Sequence, residues 1–282
     1  MQTTSALAKA YLTRLRCRAR GELNHTSSGF DDLDKFLPGW LSEGNLVVIA
    51  GRPAMGKSIF GEQISENVAK TGKTVMIFTL EMSSDELMER AIARRSGVPI
   101  PHLKTGQVKE FRPVVEAAAE VAGLPVLIDD TEFELERLIA KARRMAAELE
   151  TAGLPPLGLI VVDYLQLVVA HGANRSLEIG AISAALKRLA KELKTPVVAL
   201  SQVNRALENR TDKRPVLSDL RESGNIEQDA DLVLFLYRDE YYDENSPDKG
   251  IAEVIARKNR HGRIGTVKLA FVSDRVMFAG RV

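Results

Sequence analysis

The sequence lacks several features that would assign a chain of 282 residues to a broad class at once. Its one cysteine, Cys17, excludes an intramolecular disulfide and fits a reducing compartment. No apolar run approaches the roughly 20 residues that a membrane helix needs, and the N-terminus has no apolar stretch typical of a secretory signal. Neither charge predominates, because 39 Lys and Arg residues stand against 38 Asp and Glu residues. We therefore expect a cytoplasmic protein without a membrane partner, and exclude a simple polybasic or polyacidic one.

Apolar runs alternate with helical periodicity from Phe30 onward. The runs contain few polar residues, as is typical of strands buried on both faces, and their order favours a parallel sheet covered by helices. The predicted strands are 46–50, 75–80, 126–128, 159–162 and 197–200, and the predicted helices are 57–71, 84–96, 109–122, 134–150 and 176–194. Ser83 and Glu86 form a capping box before the second of these helices. The sequence thus predicts an α/β fold with a mostly parallel central sheet flanked by helices.

The two ends of the chain differ from this central pattern. Leu7, Tyr11 and Leu15 form one stripe of a helix, so residues 1–24 are predicted to be an amphipathic helix and a linker. That helix either packs on its own domain or docks on a neighbour as an arm. Residues 203–230 are polar and predicted to be loop-rich. The runs at 232–237, 252–256, 266–271 and 276–279 are predicted to add antiparallel strands toward the C-terminus.

One motif predicts a phosphate-binding loop. It consists of Gly51, Arg52, Pro53, Ala54, Met55, Gly56, Lys57 and Ser58, which match the pattern G-x-x-x-x-G-K-[ST] between a strand and a helix. Backbone N–H groups of such a loop wrap phosphates, and the helix N-terminus adds partial positive charge. Lys57 is predicted to reach the β- and γ-phosphates, and the Ser58 hydroxyl to bind Mg²⁺. The pattern therefore predicts that the chain binds ATP and Mg²⁺.

Polar residues follow four of the predicted strands. Asp163 ends the strand 159–162 and is the preferred second anchor for Mg²⁺, with Asp129 as its rival after a shorter strand. Glu81 either activates water beside the γ-phosphate or only favours the N-terminal end of the next helix through its charge. Gln202 either senses the γ-phosphate or begins a loop. The residues alone leave both of these alternatives open.

Two basic segments are candidates for phosphate contacts. The loop 203–224 mixes basic and acidic residues and lacks aromatics, so it gives no signal for base stacking. Taken alone, such a loop is usually a solvated surface. Lys258 and Arg260 stand at the end of a predicted strand, where they either form a solvated hairpin tip or point toward a phosphate.

Several segments together resemble one family, the motor domain of replicative hexameric DNA helicases, or DnaB-like family. The resemblance covers roughly residues 25–282, and its most specific stretch is 219–231, which ordinary ATPases with this loop do not carry. The other matching segments are 51–58, 80–83, 163–166, 201–202 and 258–262. It implies a RecA-like ATPase domain over 25–282, with residues 1–24 resembling the family's linker helix docked on the neighbouring subunit.

The resemblance also implies roles for individual residues. Glu81 resembles the general base and Gln202 the γ-phosphate sensor. Lys258 and Arg260 resemble the fingers that one subunit supplies to the ATP of the next. Three further residues match the loop that holds the backbone of single-stranded DNA: Arg221, Glu222 and Gly224.

The activity that the resemblance implies is ATP-driven translocation on single-stranded DNA with unwinding of the duplex, by a homo-hexameric ring. The alternatives are a RecA-like recombinase that forms a strand-exchange filament and a scaffold ring that holds ATP without acting as a motor. Family members usually carry a helical N-terminal domain before the linker, and this sequence begins at the linker. A helicase loader or a primase is therefore left open as a partner.

Overall fold

The computed structural model describes residues 3–20, 26–220 and 224–280. Within them, one sheet is flanked by helices. The helices are α1 (Thr4–Ala19), α2 (Asp31–Phe36), α3 (Lys57–Lys70), α4 (Ser84–Ser96), α5 (Ile100–Thr105), α6 (Arg112–Ala122), α7 (Leu135–Thr151), α8 (Arg175–Leu193) and α9 (Gly224–Asp229). The strands are β1 (Leu46–Gly51), β2 (Thr74–Thr79), β3 (Val126–Asp129), β4 (Leu157–Asp163), β5 (Val197–Gln202), β6 (Leu232–Tyr237), β7 (Ile251–Asn259), β8 (Gly265–Val272) and β9 (Met277–Ala279).

The strands of the described ranges lie in the order β3-β2-β4-β5-β1-β6-β7-β8-β9. The strands from β3 to β6 in that order pair in parallel, and β7, β8 and β9 extend the sheet by antiparallel pairing. This arrangement confirms the predicted mostly parallel sheet with antiparallel strands toward the C-terminus. It places β1 inside the sheet, between β5 and β6.

Both faces of the sheet are buried, which is why its strands read as continuous apolar runs. Val48 on β1 faces the core formed with α7 and α8, whereas Val47 and Ile49 face the core on the side of α3. All three side chains are fully buried. Successive side chains thus alternate between the two faces of the sheet, but both faces are covered by apolar cores.

The elements agree with the predicted ones to within a few residues, apart from the short helices. The capping box of α4 is confirmed, because Ser83 Oγ accepts from Glu86 N while Glu86 Oε2 accepts from Ser83 N. Helices α2, α5 and α9 have six residues each, which is too short to show periodicity in a sequence window. Residues 203–230, predicted to be loop-rich, contain one such short helix, α9, which the prediction did not include.

The sheet has two edges of different character. The carboxyl ends of the parallel strands carry Gly51, Asp163 and Gln202, and the chain turns there toward α3 after β1. Strand β7 runs the other way, so its C-terminal residue Asn259 pairs with Leu232 at the start of β6. The carboxyl edge is where ligands bind in open parallel sheets.

Helix α1 exposes its apolar stripe. The side chains of Leu7, Tyr11, Leu12 and Leu15 are between 46% and 55% exposed. Across the part of the chain that the structure describes, α1 included, no helix is long and apolar enough to span a membrane.

Candidate functional site

The loop between β1 and α3 has a conformation that requires glycine. Gly56 has φ +91°, and a Cβ there would lie 2.8 Å from the ring of Phe278. At Gly51 an added Cβ would lie 3.0 Å from the carbonyl oxygen of Leu236. A side chain at either position would force the loop to shift, so both glycines of the motif are needed for its shape.

A cavity of about 410 Å³ opens at this loop. Its volume lies within the range of small-molecule sites. Its lining consists of Pro53, Ala54, Gly56, Lys57, Ser58, Ile59, Glu81, Met82, Glu86 and Arg90. Two side chains of the predicted loop point elsewhere: Met55 is fully buried in the core and Arg52 binds Glu208. Only the backbone groups of Met55 and Arg52 are therefore available for their predicted contribution to a phosphate site.

Lys57 lies at the centre of the charged groups in the cavity. Burial lowers its pKa, while the carboxylates of Asp163 and Glu81 act in the opposite direction. Its Nζ donates to the carbonyl oxygen of Arg52 over 3.1 Å. Because this partner is a neutral carbonyl, a phosphate oxygen could replace it with a stronger, charge-assisted bond.

Asp163 ends β4 and is 6% exposed. Burial raises its pKa to about 6, with a smaller contribution from Glu81, while a hydrogen bond from Ser58 and the charge of Lys57 oppose the rise. Its Oδ1 is buried without a hydrogen-bond partner among the described residues. A buried carboxylate oxygen beside a serine hydroxyl suits Mg²⁺, which prefers oxygen ligands. The two predicted metal residues therefore fit that ion.

Asp129, the rival of Asp163, is engaged elsewhere. It forms an ion pair with Lys141 and accepts from the backbone and hydroxyl of Thr131, both through Oδ1. These contacts hold its pKa below the ordinary value although burial acts against them. Its strand, β3, lies at the end of the sheet, with three strands between it and β1.

Glu81 and Gln202 occupy different positions at the carboxyl edge. Glu81 is the second residue after β2 and lines the cavity. Gln202 ends β5 beside Gly51, and its backbone N–H donates to Gln166 Oε1 over 3.2 Å. Gln202 thus lies next to the phosphate-binding loop, on the side of β1 that faces the strand of Glu81.

The sequence interpretation missed two charged residues of the cavity, Glu86 and Arg90, which are four apart on α4 and therefore share a face. Arg90 Nη1 donates to Glu62 Oε1 over 2.9 Å, and Arg94 also binds Glu62. Burial raises the pKa of Glu62, and the two arginines oppose that rise. The available signal was the start of α4, which lies three residues after Glu81. Its first turns therefore lie near the same edge of the sheet as Glu81.

Lys258 and Arg260 lie at the opposite edge of the sheet. Lys258 pairs with Val233 near the start of β6, and Arg260 N donates to the Asp231 carbonyl over 2.8 Å. Their side chains contact the carbonyl oxygens of Glu227 and Gln228 at the end of α9. At about 3.3 Å per residue, the length of β6 separates them from the carboxyl edge by roughly 17 Å. The structure therefore does not bring them to the cavity of their own chain.

The predicted DNA contacts are only partly described. Arg221 and Glu222 lie outside the described residues, whereas Gly224 is the first residue of α9. Before them, Leu220 is 6% exposed and packs in the core beside α8. The residues that flank the candidate DNA loop in the described ranges thus belong to the core, at Leu220, and to α9.

Comparisons with known proteins agree with this architecture. The profile of the DnaB-like helicase C terminal domain matches residues 26–280. The replicative DNA helicase DnaB of Pasteurella multocida is 45% identical over 280 residues, which cover 96% of this chain and 59% of that protein. The chain spans just over half the length of the curated relatives it matches.

Two solved structures are also similar. The first, described as an ATPase domain, superposes with a TM-score of 0.91 at 34% identity, covering 99% of this chain and 100% of that one. A DnaB-like replicative helicase, described with its interactions with primase, superposes with a TM-score of 0.88 at 35% identity over 100% of this chain and 67% of that one. These likenesses confirm the predicted RecA-like ATPase fold.

Proposed function

Since this chain belongs to the family of DnaB-like helicase C-terminal domains, we propose that it is the ATP-driven motor of a replicative DNA helicase. In this proposal it moves along single-stranded DNA and unwinds the duplex as part of a homo-hexameric ring. The observation that carries it is the convergence of Lys57, Ser58 and Glu81 at one cavity, with the buried Asp163 hydrogen-bonded to Ser58. The relatives named as replicative helicases favour this motor over a strand-exchange filament or a scaffold ring.

The residues of the cavity divide the work of hydrolysis. Lys57 Nζ gives up its hydrogen bond to the Arg52 carbonyl and binds phosphate oxygens instead. Backbone N–H groups at the N-terminus of α3 donate to the same phosphate oxygens. Ser58 and Asp163 would hold Mg²⁺, which neutralises charge on the phosphates. Glu81 takes the proton of the attacking water, and Gln202 responds to the loss of the γ-phosphate.

The remaining groups come from a neighbouring copy. Lys258 and Arg260 lie too far from their own cavity, so we assign them to the ATP of the next subunit as positive charge for the transition state. Arg221, Glu222 and Gly224 hold the DNA backbone. Backbone contacts carry no base information, so binding should tolerate any sequence and weaken with salt.

The chain's location and other partners follow from the same assignment. A cytoplasmic location agrees with the one-cysteine composition. A primase is a further candidate partner, because one structurally similar helicase is described with its interactions with primase. A helicase loader stays a prediction from the resemblance.

We assign residues 1–24 to a linker arm that docks on the neighbouring subunit. Its support is the exposed stripe of α1, which leaves Leu7, Tyr11 and Leu15 about half accessible. The N-terminal end of α6 offers an exposed apolar surface of its own, since Val115 and the preceding Phe111 are 63% and 62% exposed. Apolar surfaces of this kind are stabilised when two copies cover them.

Removing the arm should weaken the ring. A chain that starts at residue 25 is expected to sediment as smaller species at concentrations where the intact chain forms rings. The double change Phe111→Ser and Val115→Ser should have the same effect through the acceptor surface. The exposed Val272, changed to Ser, is the control. Rings of undiminished stability without the arm would contradict the docking.

The motor assignment is tested by ATP turnover with and without single-stranded DNA. We expect DNA to stimulate turnover, and Lys57→Ala to abolish both the basal and the stimulated rate because the phosphates lose their main positive charge. Lys70→Ala, at the other end of α3, is the matched control and should keep both rates. Stimulation should fall as salt is raised.

The result that would overturn the motor assignment is turnover that ignores DNA at every salt concentration. A chain of that kind would hydrolyse ATP for a purpose other than movement along DNA. Turnover that persists in Lys57→Ala would instead place hydrolysis outside this cavity.

A further inference from the structure

The side chain of Arg52 leaves the phosphate-binding loop and, unlike that of Met55, ends in a charged group bound to a distant segment of the chain. It is 8% exposed, and its Nε and Nη2 both lie 2.8 Å from Glu208 Oε1. Its Nη1 donates to the Val203 carbonyl over 3.2 Å. A buried guanidinium with these partners fixes the phosphate-binding loop to a segment far along the chain.

That segment, residues 203–220, connects β5 to the predicted DNA loop. We name it the connecting segment. Its two ends meet, because Asn204 N donates to the Asp219 carbonyl over 2.9 Å and Arg210 Nη2 donates to Asp219 Oδ2 over 2.7 Å. Arg214 binds Glu253 on β7 through two hydrogen bonds of 2.8 Å. The connecting segment is therefore a closed, tethered unit that ends where Arg221 begins.

The backbone of Arg52 meets the nucleotide site directly. Its carbonyl oxygen is the acceptor for Lys57 Nζ in this structure. When Lys57 turns to a phosphate, the Arg52 carbonyl loses that bond, while the Arg52 guanidinium keeps its hold on Glu208 and Val203. One residue thus has a backbone that responds to nucleotide and a side chain bound to the connecting segment.

We propose that the Arg52–Glu208 pair couples the nucleotide site to the DNA loop, with Glu208 as a positioning residue for DNA-stimulated hydrolysis. This inference rests on the proposed function, since it requires that DNA stimulate turnover. Within the described ranges, Glu208 is not among the residues that line the cavity. It acts by holding the connecting segment to the loop that binds phosphates.

The test is Glu208→Gln, which keeps the shape of the side chain but removes its charge. Glu192→Gln is the matched control, because Glu192 also pairs with one arginine, Arg143, over 2.7–2.8 Å on the outer face of α7 and α8. We expect Glu208→Gln to keep its basal turnover and thermal midpoint. The factor by which DNA stimulates its turnover should fall by about 5- to 150-fold, the usual size of coupling between two sites. Glu208→Asp, which keeps the charge, should restore part of it.

A second measurement does not depend on hydrolysis. Coupling is reciprocal, so a non-hydrolysable ATP analogue should change the affinity for a single-stranded oligonucleotide in the unaltered chain. In Glu208→Gln the analogue should have little or no effect on the affinity for the oligonucleotide. The affinity measured without the analogue should equal that of the unaltered chain. A merely structural role would instead lower the thermal midpoint and the basal rate.

The outcomes separate the inference from the proposed function. If DNA fails to stimulate the unaltered chain, the motor assignment fails. If DNA stimulates the unaltered chain and Glu208→Gln equally, and the analogue shifts DNA affinity equally in both, the coupling role of the pair is wrong.

Discussion

Replacing Arg260 with Ala is expected to lower DNA-stimulated ATP hydrolysis by about 10³- to 10⁵-fold, the range found for arginine fingers of related ATPases. Nucleotide binding should persist, because the proposal assigns the phosphate and Mg²⁺ contacts to Lys57 and Ser58, which this change leaves intact. Arg260 lies on the turn after β7 and contacts the end of α9, roughly 17 Å from the carboxyl edge of its own sheet. Steady-state turnover and binding of a fluorescent ATP analogue measure the two effects.

Mixing two inactive variants shows whether the finger acts between subunits. In rings that combine Arg260→Ala with Glu81→Gln, some interfaces pair an intact Glu81 with an intact Arg260, so turnover should return. Arg263→Ala is the control, because Arg263 is on the same turn but its guanidinium lies over Phe36 of its own chain, 4.2 Å from the ring centre. Arg260→Ala that hydrolyses ATP normally, or mixtures that stay inactive, would contradict the assignment.

Glu81→Gln is expected to lower hydrolysis by about 10²- to 10⁴-fold, the usual contribution of a general base. The amide keeps the size of the side chain but cannot accept the proton of the attacking water. ATP should still bind, so the variant should hold nucleotide without turning it over. Single-turnover measurements with excess protein separate this loss of the chemical step from a loss of binding.

Glu86→Gln is the matched control for Glu81. Both carboxylates line the same cavity, but Glu86 Oε2 accepts from Ser83 N in the capping box of α4. We expect Glu86→Gln to cost little hydrolysis and little helix stability, because the amide oxygen of Gln can also accept from Ser83 N. A larger loss of hydrolysis in Glu86→Gln than in Glu81→Gln would exchange the roles of the two residues.

The elements that local sequence determines were predictable. Continuous apolar runs identify the parallel strands, and the glycines of the phosphate-binding loop identify the turn at Gly56, where φ is +91°. The capping box at Ser83 gives the start of α4 to the residue. Each of these signals is carried by residues that lie close together in the chain.

The parts that depend on distant contacts were not predictable without the resemblance. Asp163 and Asp129 both end apolar strands. The length of its strand only favoured Asp163 in the sequence, whereas the strand order and the Lys141 ion pair separate the two residues in the structure. Helix α9 is polar and short, and it forms where Asn225 packs against Gly180 of α8. The bond from Arg52 to Glu208 joins residues 156 apart, and no local pattern contains it.

The position of Arg260 and Lys258 at the edge opposite the cavity has a consequence for symmetry. Because the cavity and the fingers lie at opposite edges of the sheet, an interface that uses the cavity of one copy and the fingers of the next is heterologous. Repeating this interface gives a closed ring or an open helix. In either assembly every subunit points the same way along the axis. Single-stranded DNA has a direction of its own, so the proposed motor is expected to move along it in one sense only.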